Sequence, residues 1–284
     1  MKWLKKFIDD YIQKEAVMDF QDKVILITGG SSGIGLSAAI KFAKLGAKIA
    51  ILARGKDKLD RAAQEIGKAA PKTEVLQLVC DTRDELMVQD SFRKISEKFK
   101  LLDIVVNNAG TGGNAPFEDT SLELWQEMMD VHCTGYFLVA REAVRTFIRQ
   151  KSGGVMVFVV SDNAIKPSKN LTAYNVAKAA ELHMARCIAD ECGQYGIRVN
   201  SVLPGAVFGR SAFWTPEFRA SRAVIHGFNP DELEEEYKKN TALGVIIDTD
   251  EVAELILFLA SEKSSKMTGT AISIDGGGKS GYVR

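Results

Sequence analysis

From Lys23 to Ile274 short β-branched runs alternate with longer stretches whose apolar residues return at helical spacing. Residues 23–28, 48–53, 74–80, 103–107, 155–161, 198–203 and 270–274 read as strands. Between them lie helical stretches at roughly 34–45, 57–69, 83–99, 120–150, 172–195 and 249–261. Such an order calls for a parallel sheet with helices on both faces. Most of the strand runs are apolar throughout, as a sheet covered on both sides requires. No internal repeat and no Pro- or Ser-rich linker divides the chain, so residues 21–284 read as one domain behind an N-terminal extension, 1–20.

One connection is too long for a simple crossover. Between Pro204 and Asp248 the chain carries Phe208, Phe213, Trp214, Phe218 and Phe228, then an acidic run from Asp231 to Glu236. A long connection in a compact domain is usually functional, so a lid at about 205–247 is expected over a site.

Composition removes several alternatives. Lys plus Arg equal Asp plus Glu at 37 each, which gives no support to nucleic-acid binding. No apolar run approaches the ~18 residues of a membrane span. Cys80, Cys133, Cys187 and Cys192 form no Cys-x-x-Cys pair and have no His at ligand spacing. They read as reduced thiols of a cytoplasmic protein, with no metal site. At the N-terminus Lys5, Lys6, Asp9 and Asp10 interrupt any secretory h-region. Trp3, Leu4, Phe7, Ile8, Tyr11 and Ile12 instead form an apolar stripe at helical spacing. That stripe would pack on the protein itself, on a neighbouring subunit, or on a membrane surface that Lys2, Lys5 and Lys6 would suit.

The first strand runs into Thr28-Gly29-Gly30-Ser31-Ser32-Gly33-Ile34-Gly35, with a helix directly after it. In a doubly wound sheet, ligands sit beyond the carboxyl ends of the strands, where a helix N-terminus offers free N–H groups to a pyrophosphate. The fold expected is therefore α/β: a single-domain, Rossmann-like, doubly wound parallel sheet of about seven strands. The spacing is Thr-Gly-x-x-x-Gly-x-Gly, and Asn107-Asn108-Ala109-Gly110 closes the fourth strand run. Together these motifs resemble the short-chain dehydrogenase/reductase family in its single-domain branch, from about Lys23 to Gly277. The resemblance implies cofactor contacts from Thr28, Gly29, Ser31, Ser32, Gly33, Ile34, Gly35, Asn108, Ala109, Gly110, Pro204, Gly205 and Val207, with Asp81 and Thr82 beside the adenine.

Cofactor preference rests on the end of the second strand. An NAD site generally has an acidic residue there. This chain has Ala53 and Arg54, with Lys56 and Lys58 behind. No carboxylate would repel a 2′-phosphate and a guanidinium is available to hold one, so NADP(H) is expected over NAD(H). Arg54 stacked on the adenine or turned to water is the alternative.

Tyr174-Asn175-Val176-Ala177-Lys178 places a phenol and an ammonium one helical turn apart on one face. A phenol of pKa about 10 is a poor acid or base near neutrality, and a nearby positive charge is expected to lower it by roughly 1–3 units. Ser161 lies thirteen positions before Tyr174. The resemblance implies that Ser161 holds the substrate oxygen, that Tyr174 gives or takes its proton, and that Lys178 also grips the nicotinamide ribose. It also implies a homodimer or homotetramer joined through the helices at about 120–150 and 172–195 and the last strand.

Two positions depart from the family pattern. In Asp130-Val131-His132-Cys133-Thr134-Gly135, His132 stands where many relatives have an Asn that orders a water beside the lysine. Either the imidazole replaces the amide as a relay, or the relay is lost. Gly209 stands where relatives often have a Thr for the nicotinamide carboxamide; backbone groups or Ser211 are the substitutes. His183 and His226 read as structural.

The expected activity is an NADP(H)-dependent interconversion of ketone and secondary alcohol. Catalytic roles fall to Ser161, Tyr174, Lys178 and His132. Phe208, Phe213 and Trp214 either bind a bulky apolar substrate (a steroid, polyketide, acyl or cyclic ketone) or form the lid's own core. A nucleotide-binding sensor or scaffold that lost turnover is the competing reading. An epimerase or dehydratase would show no net change in the nicotinamide.

Overall fold

The β-branched run of the first strand, Val24–Thr28 (β1), divides its side chains between two cores. Ile25 and Ile27 face one side and Val24 and Leu26 the other, the period-two alternation of an extended chain. We describe a computed structural model covering residues 18–211 and 213–278. The other parallel strands are Lys48–Ala53 (β2), Val75–Val79 (β3), Ile104–Asn107 (β4), Gly154–Val159 (β5) and Ile197–Pro204 (β6). With the last strand, Ala271–Ile274, they make a seven-stranded sheet in the order β3-β2-β1-β4-β5-β6-last strand. Every pairing in it is parallel. The expected α/β sheet is what forms.

Helices Gly33–Lys44 (α1) and Lys56–Ala69 (α2) cover one face. Helix Glu85–Phe99 (α3) covers the other. The periodic stretch at 120–150 is not one helix. It divides into Leu122–Met129 (α4), one π-helical turn at Asp130–Thr134, and Gly135–Gln150 (α5). Thr172–Cys192 (α6) packs beside α5 on the same face as α3. The strand order reverses between β1 and β4, which puts the crevice for a ligand at the carboxyl ends of these two strands.

The long connection has structure of its own. It holds Val207–Phe208 (β7), Pro216–His226 (α7), Leu233–Lys239 (α8) and Ile247–Asp248 (β8). β7 and β8 pair in parallel and tie its two ends together. Thr249–Ala260 (α9) follows at once and packs on α1, where Lys41 pairs with Glu254 and the Ser37 hydroxyl donates to Thr249. The last strand, Ala271–Ile274, is β9.

Phe20 is 2% exposed and packs edge-on to Phe42 of α1, so the body of the domain already includes residue 20. The apolar stripe between Trp3 and Ile12 lies outside the described residues. Among those residues no helix is long and apolar enough to cross a membrane, and no His, Cys, Asp and Glu cluster is arranged to hold a metal ion.

Candidate active site

Thr28 sits at the crevice because β1 ends there, and its hydroxyl knits the two central strands. It accepts the backbone N–H of Asn108 at 2.8 Å and of Ala109 at 2.9 Å, while the Asn108 amide donates to the Thr28 carbonyl. Gly29 has φ +65°, and a Cβ there would press on Asn108 and Ala109. A Cβ on Gly35 would meet the Gly29 carbonyl at 2.6 Å. The turn is thus packed directly on the Asn-Asn-Ala-Gly strand end. Ser32 caps α1 without any side-chain hydrogen bond, so the first N–H groups of α1 have no partner from that cap. Open donors at a helix N-terminus beside a Cβ-free turn fit the pyrophosphate of a dinucleotide.

Arg54 is exposed directly after β2 and joins no ion pair among the described residues. Lys58 is likewise exposed, and Lys56 pairs with Asp60 at 3.0 Å. Asp81 follows β3 and holds Arg83 at 2.6 Å; that hydrogen bond keeps its carboxyl below the usual carboxylate range. Thr82 is buried against Gly135, where a Cβ would meet its hydroxyl. Gly110 faces His132; Ser31 and Ile34 are half-buried at the turn. Pro204 and Val207 are buried, and Gly205 packs on Asp275.

Tyr174 and Lys178 both face inward from α6, 8% and 4% exposed. The ammonium lies 5.7 Å from the centre of the phenol ring. Ser161, at the turn after β5, is buried beside them and donates to Asp162 at 3.3 Å. The folded chain brings Ser161, Tyr174 and Lys178 together.

The electrostatics differ from the expectation. Lys178 donates to both carboxylate oxygens of Glu181, at 3.1 and 2.9 Å, and to the Val159 carbonyl at 3.4 Å. Burial and then the Glu181 charge raise the Tyr174 phenol well above its ordinary value, with the Ser161 hydroxyl pulling back and Asp162 adding to the rise. The expected acidification of the phenol by Lys178 therefore does not occur in this arrangement. The main reason is burial of the phenol, to which a carboxylate three positions beyond Lys178 on the same helix adds while it pairs with the ammonium.

His132 owes its aim to the π turn, where the Gly135 N–H reaches back to the Asp130 carbonyl and one extra residue is accommodated. The imidazole is 1% exposed. Its Nδ1 is 2.7 Å from Glu181 and its Nε2 is 2.9 Å from the Thr111 carbonyl. The ring stands edge-on to Tyr174, with centroids 5.4 Å apart. Tyr136 lies under Lys178 at 5.4 Å and donates to the Val159 carbonyl. Burial raises that phenol well above its ordinary value too.

Glu181, Tyr136, Thr111 and Asp162 were not anticipated. Glu181 had a legible signal: it continues the inward stripe of α6 through Tyr174, Ala177 and Lys178. Asp162 is raised above the usual carboxylate range by burial despite its 3.0 Å pair with Lys166.

The lid aromatics separate into two groups. Phe208 is 3% exposed and stacks on Trp214 at 4.8 Å, while the Trp214 indole donates to the Val207 carbonyl and Tyr237 closes the cluster. Phe213 alone of the three expected substrate residues stands against Tyr174, with centroids 6.1 Å apart. A Cβ on Gly112 would strike its ring. Ser211 bonds locally, accepting the Phe213 N–H. Gly209 has φ +70°, and a Cβ there would collide with the Asp248 carboxylate that caps α9. A threonine has no room. His183 and His226 are exposed, with His226 stacked on Phe228 and bonded to Arg222.

Residues 29–279 match the family model described as enoyl-(acyl carrier protein) reductase. The chain is 45% identical over 266 residues to the uncharacterised oxidoreductase YuxG of Bacillus subtilis, covering 94% of this chain but 39% of that protein. It thus spans well under half of that relative. It is 31% identical to levodione reductase of Leifsonia aquatica, covering 93% of this chain and 96% of the other. The crystal structure of L-sorbose reductase from Gluconobacter frateurii with NADPH and L-sorbose superposes with a TM-score of 0.83 at 29% identity, over 93% of this chain and 99% of that one. NAD+-bound xylitol dehydrogenase gives 0.84 at 26% identity, over 91% and 99%. With this family model and these relatives, the chain belongs to the short-chain dehydrogenase/reductase family of oxidoreductases.

Proposed function

We propose that the protein reduces a small-molecule ketone to a secondary alcohol, with NADP(H) preferred over NAD(H). The observation that carries the reading is the buried Ser161, Tyr174 and Lys178 cluster beside the crevice at β1 and β4. The dinucleotide, when bound, supplies the hydride. Ser161 holds the carbonyl oxygen and withdraws charge from it. The Tyr174 O–H bond breaks as its proton passes to that oxygen, giving the hydroxyl of the product. The phenol is protonated in this arrangement, the form that reduction consumes, and its raised pKa makes it a weaker acid than a free phenol. Lys178, fixed by Glu181 and the Val159 carbonyl, orients the cofactor side of the site.

Arg54 supports the preference for a 2′-phosphate, since it forms no ion pair among the described residues and follows Ala53 directly. The relatives divide on this point, with NADPH in the L-sorbose reductase structure and NAD+ in the xylitol dehydrogenase structure. Phe208 and Trp214 pack on each other and leave Phe213 to meet the substrate, which favours a compact ketone with one apolar face over a steroid. Phe137 of α5 and Val176 of α6 expose large apolar surface, 46% and 41%, which supports a homo-oligomer joined through these helices.

A panel of ketones and alcohols run with both cofactors tests the reading. Ketone-dependent NADPH oxidation is expected, and Tyr174→Phe should abolish it while still binding NADPH. Equal turnover in that variant, or none by the parent protein across the panel, overturns it.

A further inference from the structure

The single proton of the Ser161 hydroxyl already has an acceptor. Its Oγ accepts the Asn163 N–H at 3.1 Å and donates to Oδ1 of Asp162 at 3.3 Å. A hydroxyl carries one hydrogen, so Ser161 releases Asp162 once it donates to a substrate carbonyl. The Asp162 carboxylate is then short of donors. It offers about four acceptor sites. Besides Ser161, only Lys166, at 3.0 Å, serves them among the described side chains. Lys166 has a second carboxylate beside it. A Cβ on Gly278 would meet both its Nζ and Oδ2 of Asp275. The Asp162 side chain keeps 12% of its surface open, so a bound molecule can reach the vacated oxygen.

We propose that Asp162 is a specificity-determining residue that accepts a hydrogen bond from a hydroxyl on the carbon next to the substrate carbonyl, which makes the substrate an α-hydroxyketone. The two oxygens of such a ketone lie side by side, as Ser161 Oγ and Asp162 Oδ1 do. A plain ketone would leave the buried acceptor unpaired and set a carboxylate against the charge developing on its own oxygen. Lys166 next to that carboxylate disfavours a second cation, so the donor is a neutral hydroxyl rather than an ammonium. The Asp162 charge also reaches the Tyr174 phenol, which puts it on the reacting side of the turn. This rests on the reductase reading above, with the carbonyl oxygen between Ser161 and Tyr174, and names its substrate class. The added hydroxyl does not react, so the product is a vicinal diol.

Steady-state kinetics with NADPH on acetoin, on butanone, and on the acetoin isomer with its hydroxyl one carbon further off tests the proposal. In the parent, kcat/KM for acetoin should exceed the other two by about ten- to a hundredfold, the worth of a hydrogen bond to a charged group. Asp162→Ala, and the double variant Asp162→Ala, Lys166→Met that leaves no ammonium unpaired, should lose most of that advantage. Both variants carry any greater intrinsic reactivity of acetoin and so correct for it. A parent that treats acetoin and its isomer alike overturns the proposal, and that comparison decides alone if neither variant folds. Folded variants that keep the preference, or lose all three ketones equally, overturn it too, the latter by making Asp162 purely structural. A parent inactive on every ketone sinks the reductase reading instead. Saturation-transfer NMR on the NADP+-loaded protein then reads the contact without turnover. The acetoin-derived diol should bind more tightly than the butanone-derived alcohol in the parent only, and equal binding of the two overturns the proposal.

Discussion

The ring of Phe213 stands 6.1 Å from that of Tyr174, so a residue of the lid covers a residue of helix α6 at the reacting end of the site. Phe213 is in turn held by Phe218 at 4.8 Å and by the open face of Gly112. The lid's inner surface is therefore set by the packing of its own aromatics. Phe213→Ala should raise KM for an apolar ketone about tenfold, from ~1.5 kcal/mol of lost apolar contact, with NADPH binding unchanged. Steady-state kinetics beside a fluorescence titration with NADPH separates the two. An unchanged KM would remove Phe213 from the substrate site.

Arg54 lies exposed beyond β2 with no ion pair among the described residues. A guanidinium bonded to a phosphate is worth ~1.5–3 kcal/mol. Arg54→Ser should therefore weaken NADPH binding by about ten- to a hundredfold, with little change for NADH. Calorimetric titration with each cofactor decides it; equal loss for both would assign Arg54 to the adenine.

Gly209 occupies a left-handed turn against the Asp248 cap of α9. Installing the residue common in relatives should harm this chain. Gly209→Thr forces a branched side chain into that conformation and displaces the cap, a loss of about 2–3 kcal/mol. Chemical denaturation is the measurement. A threonine variant as stable as its parent would mean that the turn rearranges freely.

Cys80 is 1% exposed, and burial, the largest influence, pushes its thiol from 9.0 to about 11. A folded-state value above the unfolded one favours the protonated form in the native protein. The contribution to stability is complete below pH 9 and is lost as pH rises through about 11. Cys80→Ala should flatten that alkaline fall in denaturation curves taken across the window. Thiol labelling offers a second check: exposed Cys187 should react long before Cys80. Rapid labelling of Cys80 at neutral pH would contradict its sealed position.

Much of this protein was decided within short stretches of chain. Alternating periodicities fixed a parallel sheet, because period-two and helical repeats each bury one kind of surface. The turn at Gly29–Gly35 and the pairing of Tyr174 with Lys178 on one face are also local, needing only backbone freedom and 3.6 residues per turn. Residues remote in sequence settled the rest. His132 and Glu181 lie 49 positions apart and meet only because a π turn redirects the imidazole toward α6. The stripe on α6 marked Glu181 as inward, yet nothing local announced that it would take up the ammonium and raise the phenol. The aromatics of the lid were visible as a group, but which one faced Tyr174 depended on how Phe208 and Trp214 stacked. Periodicity reports which side of an element is buried. The field inside that buried space is a sum over groups from different elements, and folding alone brings those together.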